Sequence, residues 1–256
     1  MAAPAVGEPI FRVDGLRKSY GPKVVLGGID LTVERGESLV VLGRSGSGKS
    51  VLLRQLNGLE KPDAGRVVFD GIDLTLLDER ELYPVRRRVA MLFQGGALFD
   101  SMTVFDNVAF PLREHSDIDE EAVAESVRRK LDLVGLAGTE EKMPADLSGG
   151  MKKRVALARS LALDPEVVLF DEPTTGLDPM TSASIAALIR SSQKNLGATA
   201  VIVTHDLALA RHAGDRVAFL HDGRFRFLGT WEEADGTADE YFAVFLAGRE
   251  EEAVVA

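Results

Sequence analysis

The feature that most constrains the fold of this chain is the glycine-rich run GRSGSGKS at residues 43–50. It follows the apolar run Leu39–Leu42 and opens a segment with helical spacing, so it stands between a predicted strand and a predicted helix. This is the context that the P-loop pattern GxxxxGKS requires. Glycines let the backbone turn tightly, so that its N–H groups and the N-terminus of the next helix face an anion. The run therefore predicts a phosphate-binding loop.

Two side chains of this loop have predicted chemical roles. We expect Lys49 to reach the β- and γ-phosphates of a nucleoside triphosphate, and the Ser50 hydroxyl to ligate Mg²⁺. The residues expected to contact the nucleotide here are Gly43, Arg44, Ser45, Gly46, Ser47, Gly48, Lys49, Ser50 and Val51. A glycine-rich surface turn is the alternative, and the flanking strand and helix argue against it.

Short apolar runs recur along the chain between longer segments with helical spacing, an alternation that is typical of an α/β sheet. They lie at Leu39–Leu42, Val89–Phe93, Val167–Phe170, Ala200–Val203 and Val217–Leu220. Further strand-like pieces lie at Phe11–Val13, Ile29–Val33 and Val67–Phe69, with turns at Asp70-Gly71 and Asp222-Gly223. The pattern predicts a mixed sheet, an antiparallel portion near the N-terminus and a late hairpin.

The strand pattern fades between Ala97 and Leu147, where Glu120–Val134 carries apolar residues at helical intervals. We therefore expect one domain over residues 10–248, with an inserted α-helical subdomain at about 95–150. Flexible tails are expected at 1–9 and 249–256.

A second motif is the apolar run VVLF at 167–170, which ends in Asp171 and Glu172. Such a strand projects its last residues from the sheet edge at which α/β proteins bind ligands. We expect Asp171 to hold the Mg²⁺ shell, and Glu172, which points in a different direction, to polarise an attacking water. The alternative is an ordinary acidic strand end before a turn at Pro173, and the accompanying P-loop argues against it.

A third motif, LSGGM at 147–151, separates this chain from most other proteins that carry a P-loop. Kinases, GTPases, helicases and pumps need only a loop that holds a triphosphate. Here Ser148, Gly149, Gly150 and Met151 precede KKRVALAR, so Ser148 is predicted to cap a helix whose uncluttered N-terminus can bind an anion. An ordinary capped helix is the alternative, and the position of the motif between the P-loop and the acidic strand argues against it.

Composition limits the classes of partner. The net charge of −10, from 30 basic and 40 acidic residues, argues against a large electrostatic footprint on nucleic acid or on an anionic membrane. Without cysteine the chain has no disulfide framework and no thiolate metal site. No apolar run approaches the ~20 residues of a membrane-spanning helix, and the N-terminus does not resemble a secretory signal. We expect a soluble cytoplasmic chain that binds no nucleic acid and reaches a membrane only through a partner.

In order and approximate spacing, these motifs resemble those of ATP-binding cassette (ABC) transporter ATPases. The matching set is GRSGSGKS, Gln94, LSGGM, VVLFDE, Thr175-Gly176-Leu177-Asp178 and His205, and it covers nearly the whole chain. The resemblance implies the ABC ATPase fold with a RecA-like P-loop NTPase core, ATP hydrolysis, and ATP and Mg²⁺ as cofactors. It also implies a head-to-tail dimer, in which the P-loop of one copy and the LSGG helix of the other enclose each ATP.

The resemblance assigns roles to four further residues. Tyr20 would stack on adenine, the alternative being a half-buried tyrosine at a strand end. Gln94 would contact Mg²⁺ and water and sense the membrane subunit. His205 would contact the γ-phosphate and orient the attacking water, and Asp178 would make a contact across the dimer. For His205 the alternative is a structural histidine at a strand end.

Two stretches resemble one branch of the family, the ATPases of Mla-type phospholipid transporters that work with MCE-domain proteins. They are Met91–His115 and the run LSGGMKKRVALARS, in which Met151 stands where most ABC ATPases have glutamine. The branch implies phospholipid transport between bacterial membranes, an integral permease and an MCE-domain lipid-binding protein as partners, and a peripheral location on the inner membrane. Ala97, Leu98 and Phe99 would lie where a cytoplasmic helix of the permease docks, unless they are core of the helical insertion.

Two other functions share the same motifs. One is the ATPase of an ABC importer for amino acids or another small solute. The other is an ABC ATPase of translation or DNA repair that moves nothing across a membrane. Such proteins commonly carry two cassettes or a long coiled-coil insertion, and this sequence shows neither.

Overall fold

The computed structural model describes residues 9–248, which contain both strands and helices. The strands are β1 (Pro9–Tyr20), β2 (Lys23–Glu34), β3 (Ser38–Leu42), β4 (Ala64–Phe69), β5 (Ile72–Asp73), β6 (Val89–Leu92), β7 (Val167–Asp171), β8 (Thr199–Thr204), β9 (Arg216–His221) and β10 (Arg224–Thr230). The helices are α1 (Lys49–Leu56), α2 (Glu79–Arg88), α3 (Val104–His115), α4 (Glu120–Leu133), α5 (Gly149–Ser160), α6 (Pro179–Leu196), α7 (Leu207–Ala213), α8 (Trp231–Asp235) and α9 (Glu240–Leu246).

The strands form two sheets. A six-stranded sheet has the order β10-β9-β3-β8-β7-β6, and its neighbours from β9 to β6 pair in parallel while β10 pairs with β9 antiparallel. A four-stranded antiparallel sheet has the order β2-β1-β4-β5. The predicted α/β class, with a mixed sheet and an antiparallel portion near the N-terminus, is therefore confirmed, and the antiparallel portion is a sheet of its own.

Both predicted turns close two-residue hairpins. Asp70 and Gly71 connect β4 to β5, and Asp222 and Gly223 connect β9 to β10. All four residues have positive φ, of 48° and 80° in the first turn and 48° and 70° in the second. Two successive positive φ angles define the turn whose twist matches that of an antiparallel hairpin, which explains the Asp-Gly pair at each site.

The central strands are buried on both faces, which explains why they are continuous apolar runs. Leu39 and Val41 of β3 pack into a core between the two sheets, together with the apolar face of α1. Val40 and Leu42 pack into a second core, beneath the helices α3 to α7. Strands β7 and β8 alternate in the same way, so the six-stranded sheet is the middle layer of the molecule.

The segment at 95–150 contains α3, α4 and the first residues of α5. Helix α4 nearly coincides with the predicted helix at 120–134, and its apolar residues Val123, Val127, Leu131 and Val134 are all buried. The division into one domain over 10–248 with an insertion at 95–150 stays a prediction. Of the predicted flexible tails, 1–8 and 249–256 lie outside the described residues, and Pro9 begins β1.

Within residues 9–248, no helix combines the length and the apolar character needed to cross a membrane.

Four charged side chains join the two sheets at the end opposite the P-loop. Glu166, just before β7, accepts hydrogen bonds from Arg35 at 3.0 Å and from the Nε of Arg88 at 2.5 Å. Asp70 accepts from the same two arginines. Arg88 also lies over the ring of Phe69, 4.7 Å from its centroid. Because two carboxylates and two guanidinium groups bond in a closed circuit, each charge has two partners of opposite sign.

We expect Glu166→Gln to lower the free energy of unfolding by about 1 kcal/mol at neutral pH, a modest value because solvent screens these partly exposed charges. The hydrogen bond from Arg88 lowers the pKa of Glu166 below its usual 4.5. The contribution is therefore present above that value and is lost as the pH falls through the lower pKa of the folded state. Urea unfolding at neutral and acidic pH measures the difference. Glu79→Gln, in an ion pair whose carboxylate side chain is 78% exposed, is the control; an equal loss in both variants would remove the circuit from this role.

Candidate nucleotide site

The P-loop connects the end of β3 to the start of α1, as the sequence predicts. Gly48 directly precedes α1 and has a φ of 103°, a backbone conformation that residues with a side chain rarely adopt. A side chain at Gly43 would place its Cβ 2.5 Å from the carbonyl oxygen of Leu220. Glycine is therefore required at 43 by close packing against β9 and favoured at 48 by backbone conformation.

Lys49 is buried at the base of this loop, with 5% of the residue exposed. Its Nζ donates to the carbonyl oxygens of Gly43 at 2.7 Å and Arg44 at 3.0 Å. The same ammonium lies 3.2 Å from Oε1 of Glu172. Lys49 is thus a desolvated cation held at the loop by oxygen atoms, where an incoming phosphate can compete for it.

Ser50 and Asp171 lie side by side between the loop and the end of β7. The Ser50 hydroxyl donates to Oδ1 of Asp171 at 2.8 Å. Burial raises the pKa of Asp171, the Ser50 hydrogen bond opposes that rise, and the charge of Glu172 adds to it. A cation bound here would stabilise the ionised carboxylate.

This donor set fits Mg²⁺. A hydroxyl and a carboxylate supply the hard oxygen ligands that Mg²⁺ prefers, and Mg²⁺ commonly takes only one or two protein ligands beside phosphates and water. Among residues 9–248, no cluster of three or more His, Asp or Glu side chains is arranged to hold a metal by itself. The arrangement therefore suits an ion that arrives with a nucleotide.

Glu172 has an unusual backbone conformation, with a φ of 46°. Its N–H donates to the carbonyl oxygen of Val203 at 2.9 Å, which fixes the turn at the end of β7. Such a conformation costs on the order of 1 kcal/mol for a residue with a side chain and is common at functional sites. The turn separates the direction of the Glu172 carboxylate from that of Asp171.

The carboxylate of Glu172 is held by groups at the end of β8. Its Oε2 accepts from the Thr204 hydroxyl at 3.2 Å and from the backbone N–H of His205 at 3.3 Å. The Nδ1 of His205 lies 2.9 Å from the same oxygen, so this nitrogen carries the proton in that bond. In a neutral ring Nε2 is then the acceptor. Sequence reasoning identified Glu172 and His205 but missed Thr204, which no motif marks.

A pocket of about 730 Å³ lies over these groups, within the size range of small-molecule sites. Its walls are Arg44, Ser45, Gly46, Gly48, Lys49, Ser50, Val51, Gln94, Glu172, His205, Leu207, Phe245 and Gly248. The structure thus brings together the P-loop, Gln94, Glu172 and His205. Leu207, Phe245 and Gly248 were not predicted, because neither their residue types nor their spacing distinguishes them from other surface residues.

The LSGGM motif and Asp178 are not among the residues that line this pocket; they lie at two neighbouring helix N-termini. The Ser148 hydroxyl accepts from the Met151 N–H at 3.3 Å and caps α5. Asp178 caps α6 in the same way. A Cβ on Gly150 would lie 2.6 Å from Cγ2 of Thr181, so the two termini are in close contact. The predicted site residues therefore form two groups within one chain.

Tyr20 and Gln94 differ in their relation to the pocket. Tyr20 is 46% exposed at the end of β1, outside the pocket lining, and its hydroxyl donates to Glu60. Burial of the hydroxyl, and then Glu60, raise the pKa of Tyr20. Gln94 lines the pocket, and its carbonyl oxygen accepts from the ammonium of Lys153 on α5. Sequence reasoning did not single out Lys153.

A second cavity, of about 450 Å³, is lined by residues that flank Gln94 in the chain, among them Phe93 and Gly96. Its lining includes Ala97 and Phe99, both of which are exposed, together with Phe93, Phe110 and Arg159. Leu98, by contrast, packs against the core beneath the helices. Of the three residues expected at a docking surface, Ala97 and Phe99 therefore face a cavity, and the partly buried Leu98 packs against the core. We call this cavity the Phe99 groove.

The sequence of this chain is similar to a known protein family and to several named proteins. Residues 26–175 match the family model described as ABC transporter. The chain is 43% identical over 239 residues to a probable ribonucleotide transport ATP-binding protein, mkl, of Mycobacterium tuberculosis, covering 93% of this chain and 67% of that protein. It is 39% identical over 243 residues to the intermembrane phospholipid transport ATP-binding protein MlaF of Haemophilus influenzae, covering 95% and 92%.

A further relative is the methionine import ATP-binding protein MetN of Rhizobium johnstonii, 45% identical over 223 residues, with 86% of this chain and 60% of that protein covered. Among solved structures, the ATP-binding cassette MJ0796, a dimer in a post-hydrolysis state bound to ADP and phosphate, is similar with a TM-score of 0.80 and 33% identity. That similarity covers 86% of this chain and 98% of the other.

Proposed function

The chain belongs to the ABC transporter family and is an ATP-hydrolysing, ATP-binding subunit; from that premise we propose that it energises phospholipid transport between bacterial membranes. The observation that carries this proposal is the likeness to MlaF proteins over nearly the whole chain, at 39% identity for Haemophilus influenzae and 41% for Escherichia coli. The stretch Met91–His115 and Met151 in the LSGGM motif agree with this branch.

In the proposed mechanism, the P-loop and Lys49 bind the triphosphate, with Tyr20 stacked on the adenine. Ser50, Asp171 and Gln94 would hold Mg²⁺, which when bound would neutralise charge on the phosphates. The contact of 3.2 Å between Lys49 and Glu172 affects when Glu172 becomes an effective base. A γ-phosphate that draws Lys49 to itself removes the cation from Glu172, so the carboxylate becomes a stronger base when the substrate is present.

Glu172 and His205 then act on the water. Glu172 accepts a hydrogen bond from the attacking water and takes up its proton as the water oxygen bonds to the γ-phosphorus. The bond from that phosphorus to the β–γ bridging oxygen breaks, and ADP and phosphate leave. His205 donates from Nδ1 to Glu172, which orients both side chains. The N–H of His205 and the Thr204 hydroxyl restrict Glu172 further, so little reorganisation is needed at the moment of reaction.

We further propose that a second copy completes the site. Within one chain, Ser148, Gly149, Gly150, Met151 and Asp178 are not among the residues that line the pocket around Lys49. A head-to-tail dimer would bring the exposed N-terminus of α5 of one copy against the phosphates bound by the other, where the helix N–H groups and dipole favour an anion. The dimeric state of the similar solved cassette supports this arrangement.

We propose that the permease docks in the Phe99 groove. Phe93 and Phe99 are 42% and 40% exposed and line the same groove, and exposed apolar side chains that are grouped mark interaction sites more than ones scattered singly. The groove adjoins Gln94 on the chain, so a helix seated there would contact the segment that carries a predicted Mg²⁺ ligand. The subunit would thus work at the cytoplasmic face of the inner membrane, with an MCE-domain lipid-binding protein as a further partner.

Import of a small solute is the second candidate, and one observation favours it. The methionine import protein MetN of Rhizobium johnstonii is 45% identical over its aligned part, a higher identity than that of either MlaF protein. ATPases of both kinds share the hydrolytic residues, so the candidates differ only in cargo and partners.

We expect Glu172→Gln to reduce steady-state ATP hydrolysis by about 10²- to 10⁴-fold, because the amide cannot take up the proton from water. ATP binding should be retained, and ATP should accumulate a dimer that size-exclusion chromatography detects. Glu125→Gln, on the exposed face of α4, is the control and should behave as wild type. Undiminished hydrolysis in Glu172→Gln would remove this residue from its role.

The cargo can be identified with the whole transporter, purified from its native membrane with this subunit bound. Under the phospholipid proposal, mass spectrometry of the complex should detect retained phospholipid, and amino acids should leave its ATP hydrolysis unchanged. Stimulation by methionine, with no phospholipid retained, would instead establish the importer.

We expect Phe99→Asp to abolish co-purification with the permease while leaving folding and nucleotide binding intact, because a charge would be desolvated in the groove. Leu98→Asp is less informative, since Leu98 packs against the core and a charge there would destabilise the fold. Leu76→Asp is the matched control, because Leu76 is 79% exposed and lies outside the groove lining. Full co-purification of Phe99→Asp would refute docking at this surface.

A further inference from the structure

One face of α5 holds the backbone that carries Gln94. The ammonium of Lys153 donates to the carbonyl oxygen of Gln94, and the guanidinium of Arg159 donates to that of Gly96 at 2.8 Å. Between them, the methyl group of Ala156 lies 3.4 Å from where a Cβ on Gly96 would be. Residues 153, 156 and 159 are spaced three apart and share a face of the helix. The segment 94–96 therefore rests directly on α5.

Lys153 is the member of this face nearest the nucleotide pocket. The residue is 8% exposed, and the carbonyl oxygen of Gln94 accepts a hydrogen bond from its Nζ. Burial lowers the pKa of Lys153, and the charge of Asp171 opposes that effect, which places the ammonium within the electrostatic reach of the Ser50–Asp171 pair. A buried ammonium is costly unless it is well bonded, so its bond to Gln94 is a strong local restraint.

We propose that Lys153 is a positioning residue for Gln94, fixing through the backbone carbonyl where the Gln94 side chain lies at the pocket wall. The inference rests on the proposed contact of Gln94 with Mg²⁺. It gives an exposed glutamine at the pocket wall a fixed backbone from which its side chain would reach the metal.

The bond also joins two parts of the site. Helix α5 begins at the LSGGM motif, which faces the nucleotide of the second copy in the proposed dimer, whereas Gln94 faces the nucleotide of its own chain. Through Lys153 a shift of α5 would move Gln94 with it. The two nucleotides of a dimer would then be linked within each chain by one helix and one hydrogen bond.

The test is a double-mutant cycle on nucleotide affinity, measured without turnover. The ratio of the affinities for a non-hydrolysable ATP analogue with Mg²⁺ and with EDTA is determined for wild type, Lys153→Met, Gln94→Ala and the double variant. We expect Lys153→Met to reduce the ratio about tenfold, the effect of losing a charge-assisted hydrogen bond. The double variant should be no worse than Gln94→Ala, because coupled residues are not additive.

Lys152→Met is the matched control, since Lys152 is the exposed neighbour of Lys153 on the same helix, and it should keep the wild-type ratio. Lys153→Arg, which keeps the charge and a donor, should restore much of it. Thermal unfolding checks that each variant is folded.

Each other outcome has a separate meaning. A wild-type ratio in Gln94→Ala would contradict the proposed role of Gln94 itself. A normal ratio in Lys153→Met, with a reduced one in Gln94→Ala, would overturn the positioning role alone. A ratio above the wild-type value in Lys153→Met, and in the double variant relative to Gln94→Ala, would show that the charge of Lys153 acts on the metal directly. That result would also overturn the positioning role.

Discussion

The site depends on the parallel pairing of three strands that are buried on both faces. Leu42, the last residue of β3, pairs with Thr204 of β8, and Asp171 of β7 pairs with Val203. The three strands therefore end at one level, and the P-loop, Glu172 and His205 follow at adjacent positions. Because neither face of these strands meets water, their register is fixed by packing in two cores at once. Catalytic groups placed at such an edge inherit the rigidity of the sheet.

This dependence explains which parts of the molecule the sequence predicts. Parallel strands buried on both faces must be continuous apolar runs, so β3, β7 and β8 are visible in the sequence, and the residues after them are identified by position. The hairpin turns are equally visible, because Asp-Gly satisfies a backbone conformation that few residues adopt. The glycines of the P-loop are predicted for the same kind of local reason, because the loop needs a backbone that turns tightly.

The remaining features depend on contacts between distant segments. Thr204 bonds Glu172 across 32 positions, and Lys153 bonds Gln94 across 59. Neither residue type is unusual where it stands, so no local pattern distinguishes it from its neighbours. The separation of the antiparallel strands into their own sheet also depends on packing between layers. Leu98 and Phe99 show the same limit, because adjacent apolar residues face the core and a groove, which spacing alone cannot decide in an irregular segment.

The residues around the pocket and those at the N-terminus of α5 can both contribute to balancing the charge of a bound triphosphate. Around the pocket, Asp171 and Glu172 are buried, and Lys49 is the cation in contact with Glu172. A nucleotide triphosphate brought to this pocket adds several negative charges, and in a low-dielectric site these must be balanced. Lys49 would balance part of them from within one chain, and in the proposed dimer the N-terminus of α5 of the second copy would supply a further positive end. Under the proposed dimer, the charge of a bound triphosphate would give two copies a reason to associate, which would couple association to the nucleotide state.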